Sequence, residues 1–279
     1  MNFEALQRIV ASDDQRRGVS TLCEASFLEN AASLFIKASR ILIVTGFYIK
    51  GACASETDGP PGAVALGRAV ASVGKSTVLI TDSRNYACLK ACSRSVKGPV
   101  AACLDDYEKI PEDINLLVFI ERPGHAADGR YYNMRGIDFS DVVAPLDRAS
   151  EAAMKRGVPV LGIGDGGNEA GMGLLYDALA EKMPHYAPCL SRVSSTVCLP
   201  VDVSNWGAYA LTAVLSGFYR RWLGLNDGEE EAMLSAILET GAVDGVTGRA
   251  DQSVDGISLT DLNEVTFSIK NWYSASFEL

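Results

Sequence analysis

The stretch Val158-Pro159-Val160-Leu161-Gly162-Ile163-Gly164-Asp165-Gly166-Gly167-Asn168-Glu169-Ala170-Gly171-Met172-Gly173 joins an apolar run to a glycine-dense loop. The run reads as a strand, and the loop reads as a site placed at its end. Glycine lets backbone approach a ligand closely and reach positive φ, whereas a flexible linker is diluted with serine and does not open a helix. A helix is expected next, over roughly 171–182.

The same rhythm governs the rest of the chain. Compact apolar runs at 41–44, 77–81, 100–103, 116–120 and 196–199 alternate with helical patterns at 63–73, 86–93 and 147–155. Strands this uniformly apolar are buried on both faces, which is the habit of a parallel sheet wrapped by helices. The expected fold is therefore α/β, three-layered and Rossmann-like, with a mostly parallel sheet. A single domain over 1–279 is expected, with 1–40 as a helical cover and 225–279 as a helical and loop tail. Residues 206–223 are apolar on several sides and read as a buried helix, since Asn205 and the Arg220-Arg221 end argue against a membrane span.

Composition narrows the chemistry. Forty-eight per cent of the 279 residues are hydrophobic, ample for a core, and the net charge is −10. An acidic chain is a poor ligand for nucleic acid or anionic membrane, so a small anionic substrate is the expected partner, and a homo-oligomer is compatible with the sequence. No apolar run reaches the roughly 20 residues of a membrane span, and the start Met1-Asn2-Phe3-Glu4 lacks the layout of a signal peptide, so a cytoplasmic setting is expected. The seven cysteines are scattered and form no CxxC pair, and there are only two histidines, so reduced thiols are expected and not a zinc site.

In a doubly wound sheet, ligands sit beyond the carboxyl ends of the strands. Loops crowded with polar residues follow three of the strands, at 45–62, 121–136 and 162–173. The last contains Gly162-x-Gly164-x-x-Gly167 between strand and helix, the setting of a dinucleotide fingerprint. Its charges argue otherwise. Asp165 and Glu169 put carboxylates where a pyrophosphate would lie, and no ribose-binding acid stands about 20 residues on, so neither NAD nor flavin is expected. Carboxylates on such a loop suit a hard divalent cation, Mg²⁺ or Mn²⁺, although Asp165 or Asn168 also has the chemistry of a plain helix cap.

The loop at 121–136 mixes carboxylates with Arg122, Arg130 and Arg135, whose planar forks match carboxylate or phosphate. His125 is a candidate proton carrier, against the plainer reading of a loop bystander. In the loop at 45–62 a Pro-Gly turn accounts for Pro60 and Pro61 and leaves Glu56 and Asp58 unexplained. Further on, Ser204 fits an N-cap, Asn205 faces either the crevice or the core, and Asp244 and Asp255 are turn residues or part of a lid.

Taken together, Thr45-Gly46-Phe47, the run from Glu56 to Ala63, Glu121-Arg122-Pro123-Gly124, Asp128-Gly129, Asn133-Met134-Arg135-Gly136, the loop at 162–173 and Ser204-Asn205-Trp206-Gly207 resemble the D-glutamate cyclase-like C-terminal domain family. The resemblance implies a three-layer α/β fold and conversion of D-glutamate to 5-oxo-D-proline and water. A divalent-metal-dependent phosphatase activity is also associated with part of the family, and its mammalian members carry a further N-terminal region that has no counterpart in these residues. A non-enzymatic module binding a small anion is the third alternative.

For the cyclase reaction, a base must deprotonate the α-ammonium and the γ-carboxylate must be neutralised. The expected assignment puts a metal on Asp58, Asp165 and Glu169, proton transfer on Asp128, Glu169 or Asp165, and the substrate against Arg122, Arg135, Asn133, Asn168, Asn205 and Thr45. Glu56, Glu121 and His125 are further candidates.

Overall fold

A computed structural model describes residues 1–13 and 17–277. The chain begins with α1 (Phe3–Val10) and α2 (Ala25–Lys37), and β1 (Arg40–Thr45) follows. A short hairpin, β2 (Tyr48–Ile49) with β3 (Ala54–Ser55), leads into α3 (Pro60–Ser72). The chain then passes through β4 (Ser76–Thr81), α4 (Tyr86–Ser95), β5 (Ala101–Cys103), β6 (Leu116–Ile120), α5 (Ala149–Lys155), β7 (Val160–Gly164), α6 (Tyr176–Lys182) and β8 (Val197–Pro200). Helices α7 (Ser204–Tyr219) and α8 (Glu229–Leu238), the hairpin β9 (Ser253–Val254) and β10 (Ile257–Ser258), and α9 (Leu259–Phe277) complete the described residues.

The six-stranded sheet runs β5-β4-β1-β6-β7-β8 and every pairing in it is parallel. The order reverses at β1, from which the chain first winds outward through β4 and β5 and then back through β6, β7 and β8. This is the doubly wound, Rossmann-like arrangement, and its switch point lies beyond the carboxyl ends of β1 and β6.

Both faces of the sheet are covered, which is why its strands are continuously apolar. Ile41 and Ile43 of β1 and Leu116, Val118 and Ile120 of β6 belong to the core shared with α2, α3 and α7. Leu42 and Val44, with Leu117 and Phe119, face the opposite core with Leu146, Ala149 and Ala153 at α5. Helix α7 is the buried helix expected near 206–223, sixteen residues long. It ends at Arg220, in the left-handed region at φ 51°, whose N–H returns to the Gly217 carbonyl. No helix among the described residues is long and apolar enough to cross a membrane.

Two expected boundaries shift. Gly162 and Gly164 belong to β7, since ladder pairing with Phe119 and with Pro200 needs no side chain. The helix expected at 171–182 is split into a 3₁₀ turn, Met172–Leu175, and α6.

Glu230 is a buried acid in the first turn of α8. Neither of its carboxyl oxygens has a hydrogen-bond partner, and the Tyr209 hydroxyl is likewise unpartnered. Burial pushes its pKa up to about 7, with Tyr209 pulling back only in part. A folded-state pKa above the unfolded value favours the protonated fold, so this contribution is complete below about pH 4 and is lost as pH rises through about 7. Between urea midpoints at pH 5 and pH 8, the parent is expected to lose up to roughly 3 kcal/mol more than Glu230→Gln. Equal losses in the two proteins would refute the assignment.

A buried acidic centre at the sheet switch point

Two helix ends that cap each other meet at the switch point. Asp58 lies just before α3, and its Oδ1 accepts the backbone N–H groups of Gly59 and Asn205 at 2.9 Å each. Its Oδ2 accepts the Ser204 N–H at 2.9 Å, so Asp58 satisfies the opening amides of α7. Asn205 returns the service, its Oδ1 accepting the N–H groups of Gly59 at 3.0 Å and Gly62 at 2.7 Å, the opening amides of α3. Ser204 is therefore the first residue of α7 and not its cap, and its hydroxyl is free to donate to Glu121 Oε2 at 2.7 Å.

Glycine makes this closeness possible. Gly59 sits at φ 97°, and an added Cβ would lie 2.7 Å from Thr45 Oγ1 and 2.8 Å from Glu121 Cβ. At Gly62 an added Cβ would lie 2.9 Å from both the Cα and Oδ1 of Asn205. Either contact forces backbone or a committed polar group to move.

Three carboxylates converge at this point. Asp58, Glu121 and Asp165 each offer an oxygen within 4.8 Å of the others, and all three are buried. Glu121 follows β6 with φ 44°, a left-handed conformation costly for a residue with a side chain. Asp165 follows β7, and its Oδ2 accepts the Ser204 N–H at 3.2 Å. Glu56 and Asp255 are also buried beside them, and Arg17 reaches in from the N-terminal segment to pair with Asp165 and, at 3.2 Å, with Asp255.

The electrostatics follow from burial. Desolvation first, then repulsion from Asp165 and Asp255, holds the Asp58 carboxyl well above the usual carboxylate range. Glu121 is raised by burial and then by Asp165, Glu169 and Asp58, and Glu56 by burial and then by Asp255 and Asp165. Asp165 is raised by burial, with Arg17 the chief opposing influence. Asp255 reaches about 7 through burial and Asp165, again opposed by Arg17. Burial disfavours the charge on Arg17 itself, but Asp165, Asp255 and Glu121 outweigh it and hold the guanidinium charged. So many acids around one guanidinium must share protons or accept a further cation. The oxygen donors of Asp58, Glu121 and Asp165 fit a hard divalent ion.

Several expected residues stand elsewhere. Glu169, expected as a metal ligand, closes its own loop: Oε1 accepts the N–H groups of Asp165 and Gly166, and Oε2 that of Gly167 at 2.8 Å. Glu121 takes its place in the trio. The same loop amides are those a dinucleotide pyrophosphate would need, and they are engaged by a carboxylate.

Arg122, expected on the substrate, is 1% exposed and spends its guanidinium on Asp82 and on the carbonyls of Gly46 and Ala144. Glu121 and Arg122 are neighbours that point to different partners; both terminal nitrogens of the arginine are bound by protein, and its Nε is buried without a hydrogen-bond partner. Asp128, expected to move protons, is exposed and accepts from the Tyr132 hydroxyl at 2.6 Å and the Arg130 N–H at 3.0 Å. Arg135 is exposed and reaches the Val246 carbonyl at 3.1 Å, while Asn133 braces its own turn by accepting from the N–H groups of Arg135 and Ile137.

Asn168 donates to the Tyr132 carbonyl at 2.8 Å. His125 turns to Asp147, at 2.7 Å. Thr45 is buried at the end of β1, and its hydroxyl has no hydrogen-bond partner. Of the two aspartates left open by the sequence, Asp244 organises a turn, accepting from Val246, Thr247, Ser253 and Gly256, and Asp255 faces Arg17. Sequence reasoning missed Arg17 altogether, because it lies in an irregular polar stretch that no periodicity or motif marks.

Fold and site together define a Rossmann-like α/β protein with a buried acidic centre at its switch point. Residues 6–269 match the family described as D-glutamate cyclase-like, C-terminal, and the chain belongs to that family. The human protein named D-glutamate cyclase, mitochondrial, is 30% identical over 299 aligned positions, covering 90% of this chain and 48% of the relative. The chain thus spans about half the length of that relative. A crystal structure of an exopolyphosphatase-related protein from Bacteroides fragilis is similar over 92% of this chain and 61% of that one, at 10% identity and a TM-score of 0.44, too distant to carry an argument.

The assignment of Arg122 is testable. Replacing it with Gln leaves Asp82 buried without its counter-charge, and the expected cost is about 3–5 kcal/mol of stability in chemical denaturation. An Arg122→Gln protein that kept its full stability and showed only a raised KM would return this arginine to the substrate.

Proposed function

We propose that this chain is a hydro-lyase acting on glutamate, converting D-glutamate to 5-oxo-D-proline and water at the acidic centre with the help of Mg²⁺ or Mn²⁺. The family supports the reaction class, and the observation that carries the site is the buried trio of Asp58, Glu121 and Asp165 at the carboxyl ends of adjacent strands. These three carboxylates would hold the cation. When bound, it supplies a Lewis acid that neutralises the γ-carboxylate of the substrate.

The remaining groups have matching tasks. Arg17, already charged and poised over the centre, exchanges Asp165 and Asp255 for the α-carboxylate of the substrate, the role the sequence suggested for Arg122 or Arg135. The nitrogen enters as an ammonium and leaves as an amide N–H, so two protons must depart from it, and water formation at the γ-carboxyl consumes two. A buried carboxyl of raised pKa suits such a shuttle, because it accepts from nitrogen and returns the proton to the departing oxygen. Glu56 is buried at the centre and outside the metal trio, and it takes this role. Asn205 and the α3 and α7 amides hold Asp58 in place throughout.

The same trio suits metal-assisted hydrolysis of a phosphate ester, so the decisive experiment compares both reactions. NMR of D- and L-glutamate, with and without Mg²⁺ or Mn²⁺, is expected to show 5-oxo-D-proline forming from the D enantiomer only and ceasing with chelator. Asp165→Asn is expected to lower kcat by at least about 100-fold while the fold is retained. Metal-dependent turnover of p-nitrophenyl phosphate without any 5-oxoproline would establish the phosphatase reading instead. Tight binding of glutamate with the ligand unchanged after long incubation would reduce the protein to an anion-binding module.

A further inference from the structure

The loop after β6 builds a second constellation, away from the acidic trio, around His125. The imidazole Nδ1 lies 2.7 Å from Asp147 Oδ2, which also accepts the His125 backbone N–H at 3.0 Å. Asp147 is 0% exposed, and its other oxygen accepts the Tyr131 hydroxyl at 2.7 Å. Facing an acceptor on that side, the ring carries its proton on Nδ1 and presents Nε2 outward. The histidine is one-third exposed and lines a cleft of about 700 Å³, a volume typical of small-molecule sites.

The cleft is positively charged, although the chain as a whole carries −10. Arg148, Lys155 and Arg192 line it, and Glu151 is the one acid among its lining residues. Lys155 is paired with Glu151 at 2.6 Å. Among the described residues no carboxylate lies within salt-bridge distance of Arg148 or Arg192. Arg192 is held in place, its guanidinium 3.8 Å above the Tyr176 ring and its backbone N–H donated to the His125 carbonyl at 2.8 Å.

Two uncommitted guanidinium forks beside an oriented imidazole exceed what one carboxylate can satisfy. A phosphoryl group has the charge and the oxygens for both forks, and its monoprotonated form has a P–OH that donates to Nε2. We propose that this cleft is a second ligand site that binds a phosphoryl-bearing small molecule through Arg148, Arg192 and His125. The proposal stands apart from the glutamate reaction, since none of its residues belongs to the acidic centre.

The chain has two histidines, so a His185→Gln background isolates the ¹⁵N ring signals of His125. Inorganic phosphate and pyrophosphate are titrated in EDTA, which removes any cation that would bridge them to the acidic trio. The His125 signals are expected to shift saturably with both, and more tightly with pyrophosphate. The double variant Arg148→Gln, Arg192→Gln, on the protein surface, is expected to weaken pyrophosphate by about 10- to 100-fold. Unmoved His125 signals at millimolar ligand, or undiminished affinity in the double variant, would overturn the site. Tighter binding of glutamate than of pyrophosphate in this cleft would overturn its phosphoryl specificity.

Discussion

The exchange of caps between Asp58 and Asn205 is the constraint on which the rest of the centre depends. Each helix of an α/β protein begins with amides that no intrahelical carbonyl can satisfy. In this chain α3 and α7 bury those ends against one another, and each supplies the acceptor the other needs. The arrangement fixes the axial position of both helices on one face of the sheet. It also turns two helix dipoles toward one point, where their positive ends favour negative charge.

That point is where the chain concentrates its carboxylates, and the electrostatic cost is met by geometry. Amides of α7 serve Asp58 and Asp165, the Ser204 hydroxyl serves Glu121, and Arg17 serves Asp165 and Asp255. Glu169 is satisfied separately by the amides of its own loop, which keeps that loop closed. Backbone bonds from Gly124 to Asn168 and from Ala170 to Arg122 then stitch the loops after β6 and β7 together. The acidic centre and the His125 cleft are consequently two faces of one braced loop pair, with opposite charge.

The fold was largely legible because strand burial writes itself into sequence. The runs at 41–44 and 116–120 are apolar at every position, since alternate residues feed two different cores. The loops rich in Glu, Asp and Gly were legible as one cluster because they follow neighbouring strands, whose carboxyl ends a doubly wound sheet brings together. Individual roles were not. Glu121 and Glu169 carry the same group on neighbouring strand ends, and only the turn at φ 44° and the closed glycine loop decide which one joins the trio. Arg122 has the chemistry of a substrate clamp, but its partner Asp82 follows a different strand, and pairing across a sheet leaves no local trace. Arg17 and Asp255 are separated by most of the chain, so neither composition nor spacing links them.

Arg17 and Asp255 also set when the centre comes into being. A ribosome exposes Arg17 long before Asp255, and Val243, whose carbonyl accepts the Thr57 N–H, also emerges after the β1, β6 and β7 loops. Until then the carboxylates of the β1, β6 and β7 loops lack part of their enclosure, and contacts spanning so much sequence are slow to form. The acidic centre is thus a late closure: a nascent polypeptide carries its acids in open, solvated loops and acquires the concentrated charge only when the segment of Arg17 meets that of Asp255.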